Sequence, residues 1–212
     1  MPSRTPTTRP TLWVATRNRG KTREFRLLLG KRVLVRDLFA YPKLPEVRET
    51  GNTFLANAKI KAMTLSRKLP GRLILADDSG LVVPALGGQP GVRSARYAGA
   101  ESTPEKNRRK LLRKMIGLHG AHRKAYFQAT LVLAKNGRVL RSQSARIWGR
   151  ITRAEQGSKG FGYDPIFAPL RFKKTFGELS QGTKTRISHR ARATRAMKRL
   201  LSREIKTSRA KD

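Results

Sequence analysis

Cysteine is absent from all 212 residues, which excludes a disulfide framework and any thiolate-bound metal site. Carboxylates are scarce: 13 Asp and Glu stand against 48 Lys and Arg, a formal net charge of +35. Hard cations need oxygen ligands, so the few acids in conspicuous places carry most of the information about metal binding. No apolar run approaches the roughly 20 residues needed to span a membrane as a helix, so the expectation is a cytoplasmic protein with no membrane contact. Hydrophobic residues make up only 38% of the chain. They fall in short periodic runs, however, which is the pattern of a folded domain and not of a disordered chain.

What the chain has in excess is positive charge. Such a field raises encounter rates with phosphates and gives non-specific contact with nucleic acid. The cations are spread along the sequence, although residues 198–211 are especially basic. The opening MPSRTPTTRP is basic, hydroxyl-rich and proline-containing. It is too short for a transit peptide and reads as a disordered arm. The expected organisation is an arm over 1–10, one domain over 11–206 and a basic tail over 207–212.

Apolar periodicity and turn residues order the domain. Leu12 to Ala15 read as a buried strand, followed by the turn Thr16-Arg17-Asn18-Arg19-Gly20-Lys21 and a helix from about Thr22 to Leu29, stopped at Gly30. Residues 33–48 hold a strand signal and then Pro42 and Pro45, so they form a connection. From Thr53 the stripe Phe54, Ala58, Ala62, Leu65 and Leu69 predicts an amphipathic helix, with Asn57 and Lys61 on another face. Leu73 to Ala76 read as a buried strand leading into Asp77-Asp78-Ser79-Gly80. Residues 87–99 are glycine-rich and read as a structured loop, and Thr103-Pro104 cap and open a helix. Tyr126 to Ala134 and Val139 to Trp148 are expected strands joined by Asn136-Gly137, a strong hairpin signal. A loop over 157–165 leads to Ile166-Phe167. A last helix starts near Ser188, with Met197, Leu200, Leu201 and Ile205 as its apolar face. This mixture of elements points to an α/β fold on a mixed sheet.

Four segments carry possible chemistry. At the turn before the first helix, unpaired N–H groups attract phosphate, Lys21 adds a mobile cation and Gly20 permits close backbone approach. The same stretch, ATRNRGKT, fits a relaxed phosphate-loop pattern, with Leu73 to Asp77 as the acidic strand, so a P-loop NTPase stays open. In the second segment, Asp77 and Asp78 leave a strand by opposite faces, so one can activate water or bind a cation while the other holds a supporting partner. A solvated Asp-Asp-Ser-Gly turn is the alternative. The third, Lys159-Gly160-Phe161-Gly162-Tyr163-Asp164-Pro165, offers backbone polar groups and a ring face to a planar base. The fourth, Ser188-His189-Arg190 with Lys184 nearby, supplies donors for a carbonyl or phosphate.

Taken together, ATRNRGKTREF, ETGNTFLANAKIKA, LADDSGLVVPALGGQPGVRSARYAG, GFGYDPIF and ISHRARA resemble the Ham1 family of inosine/xanthosine triphosphate pyrophosphatases, over about residues 11–203. The resemblance implies an α/β fold with a long curved mixed sheet, flanking helices, two lobes around a nucleotide cleft, and a homodimer. It implies Mg²⁺-dependent cleavage of dITP, ITP and XTP between the α- and β-phosphates. By this resemblance Thr16, Asn18 and Lys21, in the turn that also holds Arg17, Arg19 and Gly20, would bind the triphosphate, and Lys61 would reach phosphate. Asp78 would be general base and metal ligand, Glu49 a further ligand with Glu46 and position 48 as its alternatives, and Ser79 would lie beside the substrate. Phe161, Gly162, Tyr163, Asp164, Lys184, His189 and Arg190 would hold the base and its neighbouring groups. The chain departs from the family pattern at Arg17, at Ala56, where a glutamate is common, and at Pro84, where an aspartate is frequent. A basic nucleic-acid-binding protein on the same fold, without the enzyme, is the alternative that the charge and Ala56 suggest.

Overall fold

The computed structural model describes residues 9–44 and 46–209. Most of the expected arm, Pro45, the last three residues and the side chain of Ile205 lie outside the described residues. Strand β1 (Thr11–Val14) is buried and lies between two parallel neighbours. Helix α1 (Arg19–Leu29) starts before the expected Thr22, because Asn18 caps it: Oδ1 accepts from the Lys21 N–H at 3.1 Å. Its end at Gly30 has φ +69, a conformation that glycine adopts without penalty. Strand β2 (Leu34–Asp37) runs parallel to β1 at the sheet edge. Helix α2 (Phe54–Lys68) is capped by Thr53, whose Oγ1 accepts from the Ala56 N–H at 3.1 Å. Its expected stripe is buried, and so are Asn57 and Lys61 on the neighbouring face.

Strand β3 (Ile74–Val82) corrects the turn alternative. Asp-Asp-Ser-Gly does not turn; each of its residues pairs with strand β4, from Asp77 opposite Leu131 to Gly80 opposite Gln128. The antiparallel ladder supplies the hydrogen bonds that these residues would otherwise seek locally. Helix α3 (Pro104–Lys114) starts under its threonine cap as expected. Strands β4 (Lys124–Lys135) and β5 (Arg138–Ile151) form the expected hairpin. Asn136 and Gly137 both have positive φ, +51 and +77, which gives the twist that a tight hairpin needs. Strand β6 (Phe167–Pro169) pairs with β5. The seven-residue helix α4 (Gln181–Ile187), capped by Ser180, was not anticipated, because its sequence has no apolar period. Helix α5 (His189–Arg209) begins beside Ser188 and runs past position 206, so the expected tail boundary falls inside it.

The sheet has the order β2-β1-β3-β4-β5-β6, with β1 parallel to both neighbours and the remaining pairs antiparallel. At one end α1 and α5 cover one face, burying Phe25 and Met197 against Leu12, Leu75 and Leu131. There α2 covers the other face, burying Ala58, Ala62 and Leu65 against Ala76 and Val132. At the far end of the long strands, Leu81, Phe127 and Ile147 pack with Leu111 of α3 and Phe167 of β6 in a separate core. Two lobes thus share β3, β4 and β5, and the cleft lies between them.

Candidate active site

The cleft holds a cavity of about 480 Å³ lined by segments of both lobes, within the range of small-molecule sites. At one end is the start of α1. Asn18 lines the cavity and caps the helix, and the Asn18 N–H donates to Thr16 Oγ1 at 3.1 Å. The N–H groups of the first helical residues have no acceptor within the helix and attract anions. Lys21 points to β3, its Nζ 3.2 Å from the Asp77 carbonyl and 3.4 Å from Asp77 Oδ2. Burial, with the charges of Lys61 and Arg190, lowers its pKa despite Asp77. Arg17 lines the cavity, but its guanidinium donates to the carbonyls of Leu44 and Pro42 at 2.5 and 3.5 Å. Arg19 is held 4.9 Å over the Phe39 ring and is outside the lining, as is Gly20. The close approach that Gly20 permits is that of a ring: a Cβ there would lie 2.5 Å from Phe161 Cδ1.

The two carboxylates of β3 divide as the strand geometry requires. Asp77 faces α5 and Asp78 faces α2. Asp77 Oδ2 accepts from Arg190 Nε at 2.9 Å, and both side chains are buried. Burial alone would raise the Asp77 pKa, but Arg190, Lys21 and Lys61 hold it well below the usual aspartate range. Asp78 Oδ1 lies 3.2 Å from Lys61 Nζ, while its Oδ2 is buried with no hydrogen-bond partner. Burial and the charge of Glu49 raise the Asp78 pKa against Lys61 and Lys21. Lys61 Nζ also meets Glu49 Oε1 at 2.8 Å and the Asp77 carbonyl at 3.0 Å. One ammonium therefore joins the two acids expected to bind metal.

Among the described residues no group of three or more His, Asp or Glu gathers as a ready-made metal cage. The donors nevertheless fit Mg²⁺, which takes a few carboxylates and fills the rest of its shell with phosphate oxygens and water. Asp78 brings a partnerless buried oxygen and Glu49 a second, part-exposed carboxylate on the same side of the cleft. Glu46 lines the cavity as well.

The other end is aromatic and strongly paired. Phe161 is half-buried, with Lys184 Nζ 4.6 Å and Arg190 Cζ 5.7 Å from its centroid. Asp164 Oδ2 accepts from the Phe161 N–H at 2.7 Å and from Lys184 Nζ at 2.5 Å, which fixes the loop. A side chain at Gly160, where φ is +79, would strike that same oxygen. Gly162 lines the cavity, and its carbonyl accepts from Arg108 at 2.9 Å. The Tyr163 ring belongs to the upper core, its hydroxyl donating to the Ser94 carbonyl at 2.9 Å. Arg190 donates to Asp77, to Ser79 Oγ at 2.9 Å and to Glu24. His189 stacks on Phe127 with centroids 4.8 Å apart, and its Nδ1 is buried without a partner. Burial, then the charge of Arg190, pushes its pKa well down, so the ring is neutral.

The family model described as the Ham1 family matches residues 12–200. The chain belongs to the Ham1 family. A dITP/XTP pyrophosphatase of Shouchella clausii is 46% identical over 187 residues, 88% of this chain and 94% of that protein. Another of Streptococcus thermophilus is 48% identical over 88% of this chain, which spans 58% of that longer protein. The structure of a Ham1 protein from Coxiella burnetii matches with a TM-score of 0.80 and 33% identity, over 92% of this chain and 99% of that one. Ham1 membership displaces the P-loop alternative, and the geometry gives a reason. Asp77, the acid that reading would place on a metal, is committed to Arg190 and Lys21.

Some residues that line or support the cleft were not given a role from the sequence. Glu24 is the most consequential: it pairs with Lys184 at 2.6 Å and with Arg190. Its one signal was being the only acid in the otherwise basic α1. Phe127 gave none, because an inward aromatic on a strand reads as ordinary core. Asn57 is fully buried and its Oδ1 accepts from the Gly51 N–H at 2.8 Å, which anchors the segment bearing Glu49. Of the departures, Ala56 is one position before this anchor, and Pro84 opens a short 3₁₀ turn beyond β3.

Proposed function

We propose that the chain hydrolyses non-standard purine nucleoside triphosphates, dITP, ITP and XTP, to the nucleoside monophosphate and pyrophosphate. Ham1 membership supports this, with relatives called dITP/XTP pyrophosphatases. The observation that carries it is the polarity of the cleft. Lysine ammonium groups and a partnerless carboxylate oxygen lie at one end, and a ring with buried donors at the other.

In this reading the N–H groups at the start of α1, with Thr16, Asn18 and Lys21, hold the triphosphate. Lys61, which joins Glu49 to Asp78, exchanges these carboxylates for phosphate oxygens. Asp78 takes the proton from a water that attacks phosphorus in line, so positioning and charge stabilisation supply most of the rate. Mg²⁺, held by Asp78 and Glu49, would neutralise charge on the phosphates. Phe161 stacks on the purine. Arg190 commits most of its five N–H donors to Asp77, Glu24 and Ser79. The one remaining, with His189, recognises the 6-oxo group. A 6-amino group would leave those donors unpaired, which rejects ATP.

Product analysis with ITP, XTP, dITP and the four standard triphosphates tests the reading. Pyrophosphate and monophosphate from the first three are expected, with ATP turned over poorly; orthophosphate and diphosphate would overturn it. Dependence on Mg²⁺, assembly as a homodimer, cytoplasmic residence and non-specific contact with nucleic acid are also proposed here. Family resemblance supports the metal and the dimer, the lack of a membrane-crossing helix among the described residues is consistent with the cytoplasm, and the charge supports the last.

A further inference from the structure

Helix α2 covers only part of its face of the sheet. It packs over Ala76, Val132 and Val139. Beyond them, where Thr130 pairs with Ser144, the face opens into a groove of about 880 Å³. Cross-strand pairs build the floor: Thr130 Oγ1 and Ser144 Oγ are 2.8 Å apart, and Arg146 Nε donates to Gln128 Oε1 at 2.7 Å. Further along the same face Tyr126 meets Trp148 with centroids 4.6 Å apart, and the Arg146 guanidinium lies 4.6 Å over the Tyr126 ring. Trp148 is 38% exposed. Lys124 and Arg150, the next pair, are both exposed.

The groove's charge is of one sign. Its lining includes Arg93, Arg96, Lys110, Lys114 and Arg146 and no Asp or Glu. Among the described residues only Arg96 of these five is paired with a carboxylate, Glu49 at 3.5 Å. An open strand face that carries aromatic rings between rows of cations is how single-stranded nucleic acid is held: bases stack on the rings and the backbone follows the charge. We infer that this groove, with the Tyr126–Trp148 surface, is a binding face for single-stranded nucleic acid, separate from the nucleotide cleft. A second copy of the chain docked here about a two-fold axis would set cations against cations with no acid in the lining to meet them. The inference gives a location to the contact that net charge alone leaves spread over the whole surface. It stands whether or not the cleft is a pyrophosphatase.

The test uses the full chain and a fluorescein-labelled 20-nucleotide oligothymidylate, followed by anisotropy over a salt series. Arg93→Gln with Arg146→Gln is compared with Arg23→Gln with Arg26→Gln, which removes the same charge from the exposed side of α1. The groove variant is expected to bind at least tenfold more weakly, and its log–log salt slope to shrink by about 1.4, since each lost phosphate contact on a single strand is worth about 0.7. The α1 variant is expected to lose less than threefold. Trp148 fluorescence is expected to be quenched on binding and the quench to vanish in Trp148→Phe, because the other tryptophan, Trp13, is buried. Equal weakening of the two double variants would overturn the proposal, as would absence of binding or a quench that survives Trp148→Phe. So would an oligomer, seen by sedimentation, that dissociates in the groove variant while oligonucleotide affinity stays put; the face would then be a contact between copies. Triphosphate turnover, measured on the same variants, is expected to be unchanged and reports on the cleft alone.

Discussion

The Arg190 guanidinium grips Asp77 across 113 positions of chain, with Nε and Nη2 at 2.9 and 2.8 Å from Oδ2 and solvent excluded from both side chains. Removing one member of such a pair leaves the other charged in a dry interior, which costs about 3–5 kcal/mol. Asp77→Ala is therefore expected to lower the urea midpoint strongly, and the protein that folds is expected to bind triphosphate more weakly because Lys21 and Arg190 have lost their anchor. A variant that unfolds like the parent but turns over nothing would place Asp77 in the chemistry.

Asp78 is expected to behave in the opposite way. Asp78→Asn keeps the shape of the side chain and loses the base, so turnover should fall roughly 10²–10⁴-fold with the unfolding midpoint nearly unchanged. The base must be ionised to work, and burial with Glu49 raises its pKa. The acid limb of kcat against pH should therefore lie above the range of an ordinary aspartate, about 3.9. Near-normal turnover in Asp78→Asn would remove the residue from this role.

Glu24 gives a stability prediction with a defined sign. Burial opposes its ionisation, but the charges of Arg190 and Lys184 outweigh it and take the pKa from 4.5 down to about 2. A carboxyl depressed in the folded state stabilises fully above its unfolded pKa, and that contribution is lost as pH falls through the folded value. The window is pH 4.5 to 2, and the linkage is worth about 3 kcal/mol. Urea unfolding should show stability dropping across this window, and Glu24→Gln should flatten the drop while lowering stability at pH 7. The same slope in both proteins would assign the acid sensitivity elsewhere.

Gly20→Ala sets two effects against each other. Alanine favours helical backbone over glycine by up to about 1 kcal/mol in a helix interior, and by less at the second helical position where Gly20 stands. Its Cβ, however, would lie 2.5 Å from the Phe161 ring, so the ring must move. The expected result is a roughly tenfold higher KM for every purine triphosphate, equivalent to about 1.4 kcal/mol of binding, with thermal stability close to the parent. Unchanged KM values would show that Phe161 does not set the position of the base.

Arg190→Ala bears on base choice. The substitution is expected to raise KM for ITP and to narrow the ITP-to-ATP ratio of kcat/KM by roughly 10- to 100-fold, the worth of one charged hydrogen bond. Because the ratio is taken on one preparation, any loss of folded protein cancels. An unaltered ratio would mean that the base is read elsewhere, foremost by the backbone around Tyr163 and Asp164.

The sequence made the local structure of this chain legible where a single residue dictates it. Thr53 and Thr103 cap their helices, and Asn136-Gly137 turns the hairpin. The alternation of Asp77 and Asp78 across β3 was also readable, because side-chain direction on a strand follows from parity alone. Long-range pairing was not readable. That Arg190 would give most of its donors to Glu24, Asp77 and Ser79 depends on α5 crossing the sheet beside α1, and nothing local announces it. The same holds for Tyr163, whose loop position suggested a base contact: it lines the cavity and its ring also packs into the upper core. Helix α4 escaped because seven residues held by a serine cap need no apolar stripe.

The neighbouring acids of β3 also give the fold an unusual sensitivity to strand phase. Asp77 and Asp78 are chemically alike, and only the parity of their positions sends one to Arg190 and the other to Lys61. A single residue inserted in β3 ahead of position 77 would leave the site's composition intact and exchange the two assignments, turning Asp77 toward Lys61 and α2 and Asp78 toward Arg190 and α5. The nine-residue ladder between β3 and β4 is therefore more than a scaffold: it is the element that decides, by counting in twos, which aspartate meets Arg190 and which meets Lys61.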